Sequence, residues 1–196
     1  MNTIDFEKGN GLVPVVIQDK SNMKVLMLGY MNEEAYAKTK KEKRVCFYSR
    51  SKKRLWTKGE SSGNYLEVHN IKIDCDADTL LIQVKPLGPC CHTGNTTCFN
   101  DTSSKGFVYD LENTMSERID ADDNTSYTNS LFKKGINKVA QKVGEEAVEM
   151  IIEAKDDNLE LFKNEAADLM YHYLLLLRAK KCSLGDVEDV LFQRKK

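Results

Sequence analysis

The pattern of apolar residues changes once along this chain, and that change limits what it can fold into. Before the polar stretch NDTSSKG, residues 100–106, the apolar residues fall in short runs rich in Val, Ile, Leu and Tyr. These are Leu12 to Ile17, Lys24 to Leu28, Arg44 to Tyr48, Tyr65 to Ile73 and Leu80 to Val84, separated by Gly, Asn, Asp and Lys segments. Short apolar runs bounded by turn formers predict strands. One helix, about Asn32 to Lys41, interrupts them. After the polar stretch the period becomes helical, over Phe107 to Ile119, Tyr127 to Ala154, Leu159 to Ala179 and Leu184 to Phe192. The chain therefore predicts two domains that do not share a core, residues 1–103 (β-rich, α+β) and 104–196 (an all-α bundle). At 196 residues each half is long enough to bury its own interior.

The densest chemistry lies in DCDAD, residues 74–78, and CHTGNTTC, residues 91–98. Read as a strand, the first segment places Asp74, Asp76 and Asp78 on one side and Cys75 on the other. Three carboxylates suit a hard cation such as Mg²⁺. Cys75, Cys91 and Cys98 suit zinc and leave a fourth coordination position for water. Disulfides are the poorer use of six cysteines in a chain that starts without the charged and apolar regions of a signal peptide. No apolar run approaches the roughly 20 residues needed to span a bilayer, so a cytosolic protein is expected. Cys46, in an apolar strand-like run, and Cys182, after a helix, read as packing residues. A formal net charge of -1 argues against a general nucleic-acid binder.

The helical half carries a second set of carboxylates. Glu145, Glu146 and Glu149 project from one stripe of a helix, and Glu165, Asp168 and His172 from one face of the next. Such stripes commonly face solvent. The second helix, however, is apolar all round and predicted to be buried, and buried carboxylates need a charge partner. A divalent cation held by Glu145, Glu146, Glu149, Glu165 and Asp168 supplies one. His172 reads best as a satisfied core histidine. Lys134, Lys138 and Lys142 repeat every four residues, forming either a ridge that meets phosphate oxygens or a solvated face.

Both halves resemble known families. LVPVVIQD (12–19), VLMLGYMNEEA (25–35), FYSRSKKRLWTKGESSGN (47–64), DCDADTLL (74–81) and GPCCHTGNTTCF (88–99) resemble phosphoribosyl-AMP cyclohydrolase. SYTNSLFKKG (126–135), KVGEEAVE (142–149) and NEAADLMYHYLLLL (164–177) resemble phosphoribosyl-ATP pyrophosphohydrolase, an all-α relative of the MazG-type nucleotide hydrolases. Cys90 stands where alanine is expected and Thr97 where serine is expected. In this order the halves look like the bifunctional enzyme of histidine biosynthesis. The resemblance implies hydrolysis of phosphoribosyl-ATP to phosphoribosyl-AMP and pyrophosphate in the second domain. Zinc-dependent opening of the adenine ring between N1 and C6 would follow in the first. It also implies His92 as general acid or base, with Glu145 and Glu146 as catalytic carboxylates. Arg50, Trp56, Lys58 and Ser62 would contact substrate, although Trp56 could equally be core.

The resemblance further implies an intertwined homodimer. A zinc site would then be shared between subunits, with Cys75 from one and Cys91 and Cys98 from the other. A bulge at Cys75 would instead permit a site within one chain. Two other readings remain. One is an interaction module built on a structural zinc completed by His92 or Cys90. The other is a base deaminase fused to a housecleaning nucleotide hydrolase, although the usual zinc-deaminase signature is absent.

Overall fold

The computed structural model describes residues 3–100 and 104–195, so the expected boundary at 103 lies outside the described residues. The chain divides into two compact units, Met1–Gly106 and Phe107–Lys196.

The first unit is strand-rich. Its elements are β1 (Val13–Asp19), β2 (Val25–Met31), α1 (Glu33–Glu42), β3 (Cys46–Ser49), β4 (Arg54–Thr57), β5 (Leu66–Ile73) and β6 (Leu80–Pro86). Four strands form a sheet in the order β2-β1-β6-β5, and β3 pairs with β4 separately. β1 runs antiparallel to β2 and parallel to β6. Along β1 every second residue is buried, so Val13, Val15 and Ile17 enter the core with Leu80, Ile82 and Val84 of β6. α1 starts where Asn32 accepts the Ala35 N–H, and it ends at Lys43 in the left-handed region. Buried Thr39 fixes that helix to β3, accepting the Cys46 N–H at 2.9 Å and donating to the Ala35 carbonyl at 2.8 Å. Cys46 is a core residue, as expected.

Two expectations fail in this unit. Residues 74–78 are not a strand but the turn between β5 and β6, with Ala77 at φ 65°. β4 is an additional strand in a stretch too charged to show alternation.

The second unit contains α2 (Phe107–Asp120), α3 (Tyr127–Lys133), α4 (Ile136–Glu153), α5 (Leu159–Ala179) and α6 (Leu184–Gln193). The single helix expected over 127–154 is two, because Gly135, at φ 86°, leaves the helical conformation between α3 and α4. Met115, Leu131, Val139, Leu174, Leu175 and Leu177 form the core, with Cys182 packed against it. α4 packs chiefly on α5. Contrary to expectation, α5 is not buried all round. Its later leucines are inside, whereas Leu159, Leu161 and Met170 are exposed. Among the described residues no helix is long and apolar enough to cross a membrane.

Candidate metal centres and substrate cleft

The β5–β6 turn gathers the three aspartates by a different route from the one expected. Asp74 Oδ1 accepts the N–H groups of Asp78 at 3.0 Å and Thr79 at 3.1 Å, curling the chain. Asp74, Asp76 and Asp78 each then present an oxygen within 4.8 Å of the others. Burial disfavours the charged form of Asp74, but donation from Thr79 and Asp78 outweighs it and holds the carboxyl below its ordinary range. Lys8 reaches in from the N-terminal segment, 3.1 Å from Asp76 Oδ2 and 3.8 Å from Asp78 Oδ2. The hydrogen bond to Asp76 raises the pKa of Lys8. Nothing in the sequence pattern marks Lys8 as a partner of this turn.

The thiols lie on the loop after β6. Cys91 is held by backbone bonds, its N–H to the Asn95 carbonyl at 2.9 Å and its own carbonyl to Gly94. The Thr93 hydroxyl donates to Cys91 Sγ at 3.1 Å and lowers that thiol's pKa. Cys98 is tied to the edge of β2 through its N–H and the Leu26 carbonyl, 2.8 Å. Thr97, buried beside it, donates its hydroxyl to the Val25 carbonyl at 3.0 Å. Cys98 is an exposed residue, yet partial desolvation of its thiol, with Cys91 nearby, raises its pKa. Cys90 is 2% exposed, and burial pushes its thiol up to about 11. Cys75 is exposed on the β5–β6 turn. Among the described residues no group of three candidate ligands within 4.8 Å includes a cysteine. Thr93 and Thr97 were not legible as site residues, since hydroxyls carry no ligand spacing.

A cavity of about 390 Å³ opens beside Cys91 and His92 and is lined by Trp56, Lys58, Ser62 and Asn64. It brings together three of the four expected substrate contacts. The fourth, Arg50, is not in its lining, and its guanidinium lies 3.8 Å above the Tyr30 ring. Trp56 is both wall and packing, because its ring sits 5.7 Å from that of Phe47. His92 is exposed, with Nδ1 3.9 Å from Cys91 Sγ.

In the helical unit α4 and α5 bring Glu146, Glu165 and Asp168 together, with an oxygen of each within 4.8 Å of the others. Glu146 is 5% exposed. Glu145 and Glu149 lie outside this trio. Glu145 is bound by Lys142 at 2.9 Å and Gln141 at 2.7 Å, and both lower its pKa. Burial raises the pKa of Glu165, and the charges of Glu149, Asp168 and Glu146 add to the effect. His172 is buried but only half satisfied. Nδ1 is 2.9 Å from the Asp168 carbonyl and 3.6 Å from Glu146 Oε1, whereas Nε2 has no hydrogen-bond partner. The lysine ridge is broken: Lys134 caps α3, Lys138 bonds Gln141, and Lys142 turns to the carboxylates.

Both acidic trios fit a divalent cation, since each offers clustered hard oxygens and each already draws an ammonium group. Cys91 and Cys98, close enough to perturb one another's thiol, offer two soft donors of the kind zinc takes.

A phosphoribosyl-AMP cyclohydrolase family model matches residues 27–100, and a phosphoribosyl-ATP pyrophosphohydrolase family model matches residues 108–195. The histidine biosynthesis bifunctional protein HisIE of Bacteroides thetaiotaomicron is 52% identical over 193 residues, covering 97% of this chain and 95% of that protein. The HisIE proteins of Xanthomonas axonopodis and Vibrio cholerae are 50% and 48% identical over 192 and 197 residues, each covering 98% of this chain and 93% and 94% of their own lengths. With two family models in this order and such identity along nearly its whole length, the chain belongs to the bifunctional HisIE family of histidine biosynthesis.

Proposed function

We propose that the chain runs two consecutive hydrolyses in the cytosol, with residues 104–196 acting first and residues 1–103 second. Phosphoribosyl-ATP and water give phosphoribosyl-AMP and pyrophosphate; a second water then adds to C6 of the adenine ring, and the N1–C6 bond breaks. The observation that carries this reading is that each unit has its own trio of convergent carboxylates.

In the helical unit, of the MazG type, Glu146, Glu165 and Asp168 would hold Mg²⁺, with Glu149 as a further charge nearby. Glu145 is held ionised by Lys142 and Gln141, so it is a weak base and its acceptor oxygens orient the attacking water. Lys134 and Lys138 contribute positive charge for the phosphates.

In the strand-rich unit Asp74, Asp76 and Asp78 would hold Mg²⁺ near the substrate phosphate. Trp56, Lys58 and Ser62 line the cleft that receives the nucleotide, and Arg50, stacked on the Tyr30 ring, would be a further substrate contact. Cys91 and Cys98 would hold zinc together with Cys75 of a second copy, in an intertwined homodimer. The exposure of Cys75, and the absence of a three-ligand cluster containing a cysteine among the described residues, support the shared arrangement. Zinc would supply Lewis acidity to a water at its open position, and magnesium would offset charge on the leaving pyrophosphate. His92, exposed and lining the cleft, would serve as the general acid or base that delivers a proton to the ring nitrogen as the bond to C6 breaks.

The test is to offer the full chain phosphoribosyl-ATP, ATP, dUTP and dCTP in turn. Pyrophosphate release followed by loss of adenine absorbance is expected only with phosphoribosyl-ATP. Comparable turnover of dUTP or dCTP would overturn the substrate assignment.

A further inference from the structure

Glu146 is the most buried carboxylate of the helical trio, and it is not free. Lys142, one helical turn earlier on α4, places Nζ 2.7 Å from Glu146 Oε1 and 2.9 Å from Glu145 Oε2. The i, i+4 spacing holds this contact within a single helix, without any rearrangement of α5. Burial makes the contact consequential, since a carboxylate taken out of water and left unpaired is strongly unfavourable. A cation entering between Glu146, Glu165 and Asp168 meets an oxygen already engaged by an ammonium group. Two positive charges on one carboxylate repel, so the ammonium and the metal are alternatives. Lys138, one turn further back, bonds Gln141 rather than the trio. Lys8 makes a similar contact in the strand-rich unit, but with exposed partners, where pairing has little weight.

We propose that Lys142 is the resident counter-ion of the acidic trio, competing with the divalent cation for Glu146, and that metal entry frees its ammonium for the phosphate oxygens of the substrate. This rests on the reading of the trio as a magnesium site. Lys142 thereby couples the two binding events: it stabilises the empty site, opposes the metal, and is turned toward the nucleotide by the metal's arrival. With the site empty, the hydrogen bonds to Glu146 and Glu145 raise the pKa of Lys142.

The test is Mn²⁺ binding to the full chain at pH 8, read from the free-Mn²⁺ electron paramagnetic resonance signal. The trio's contribution is defined as the binding removed by Asp168→Asn. Lys142→Met, which keeps the stem and removes the charge, is expected to bind Mn²⁺ at the trio about 10-fold more tightly, because a charge-assisted contact no longer has to be broken. Lys142→Arg and Lys138→Met should stay within about threefold of the parent chain, since neither removes the competing charge at Glu146. Lys142→Gln serves the same measurement if the methionine variant does not fold. Binding that Asp168→Asn abolishes, but that is equal or weaker after loss of the Lys142 charge, overturns the inference and leaves the metal site standing. Binding that Asp168→Asn leaves untouched overturns the metal site, and the inference with it.

Discussion

Asp74 positions Asp78: Asp74 Oδ1 accepts the Asp78 N–H at 3.0 Å, so one proposed metal ligand is also the frame of the turn that presents another. The two roles separate by substitution. Asp74→Asn keeps an acceptor oxygen, whereas Asp74→Ala removes it and should lower the melting temperature of the strand-rich unit. Both should weaken magnesium-dependent ring opening by roughly 10- to 100-fold, the range typical of disturbed metal shells. Calorimetry beside a magnesium titration of the activity checks this. An unchanged magnesium response in Asp74→Asn would leave Asp74 as a turn former alone.

The two activities should be lost independently, because the two cores have no residue in common. Glu146→Ala should reduce pyrophosphate release by about 100-fold or more, equivalent to ~2.7 kcal/mol of transition-state stabilisation, while supplied phosphoribosyl-AMP is still opened. Cys98→Ala should do the reverse. Equal loss of both activities in either folded variant would sink the two-site reading.

A zinc site shared between copies predicts complementation. Chains carrying Cys75→Ala and chains carrying Cys98→Ala, each inactive in ring opening alone, should regain one zinc site and part of the activity when folded together. The intact Cys75 of one then meets the intact Cys91 and Cys98 of the other. Verified mixed dimers with neither zinc nor activity would place Cys75 within its own subunit.

Thiol reactivity should follow the local chemistry of the loop. In the zinc-free chain at neutral pH, Cys91 should be alkylated before Cys98 and Cys90. Thr93 lowers the Cys91 pKa and so enlarges its thiolate fraction, while desolvation raises the other two. Thr93→Val should slow Cys91 toward the rate of an ordinary thiol. Peptide mass spectrometry after timed iodoacetamide exposure reads the order, and Cys90 reacting first would contradict it.

What could be read from the sequence depended on how local its cause was. α5 was legible from Leu159 to Ala179 because its period is long and Asn158 caps it. The strands of the four-stranded sheet were legible because their apolar runs are short and bounded by turn residues. β4 was not, since Arg54, Thr57 and the lysines before it mask any alternation. The gathering of Asp74, Asp76 and Asp78 was foreseen, but for the wrong reason: a side-chain acceptor at Asp74 bends the chain where period-two spacing suggested a strand. The separation of Glu145 from Glu146 is set by Lys142 and Gln141, whose rotamers no spacing rule specifies. Helical periodicity ran through Gly135 unbroken, so the division between α3 and α4 became visible only through its backbone angle.

The parallel pairing of β1 with β6 has a kinetic consequence. Val15 pairs with Leu80 and Ile17 with Ile82, so an early strand of the chain finds its second neighbour only after all the other strands have been synthesised. Until then the apolar side chains of β1 and β2 form an incomplete sheet with an open, adhesive edge. The helical unit is different, because α4 and α5 are consecutive and condense through near neighbours. Refolding from denaturant should therefore show a fast helical phase and a slower strand-rich one. Aggregation during production should concentrate in the slow phase, making translation pace through β6 the step that governs yield.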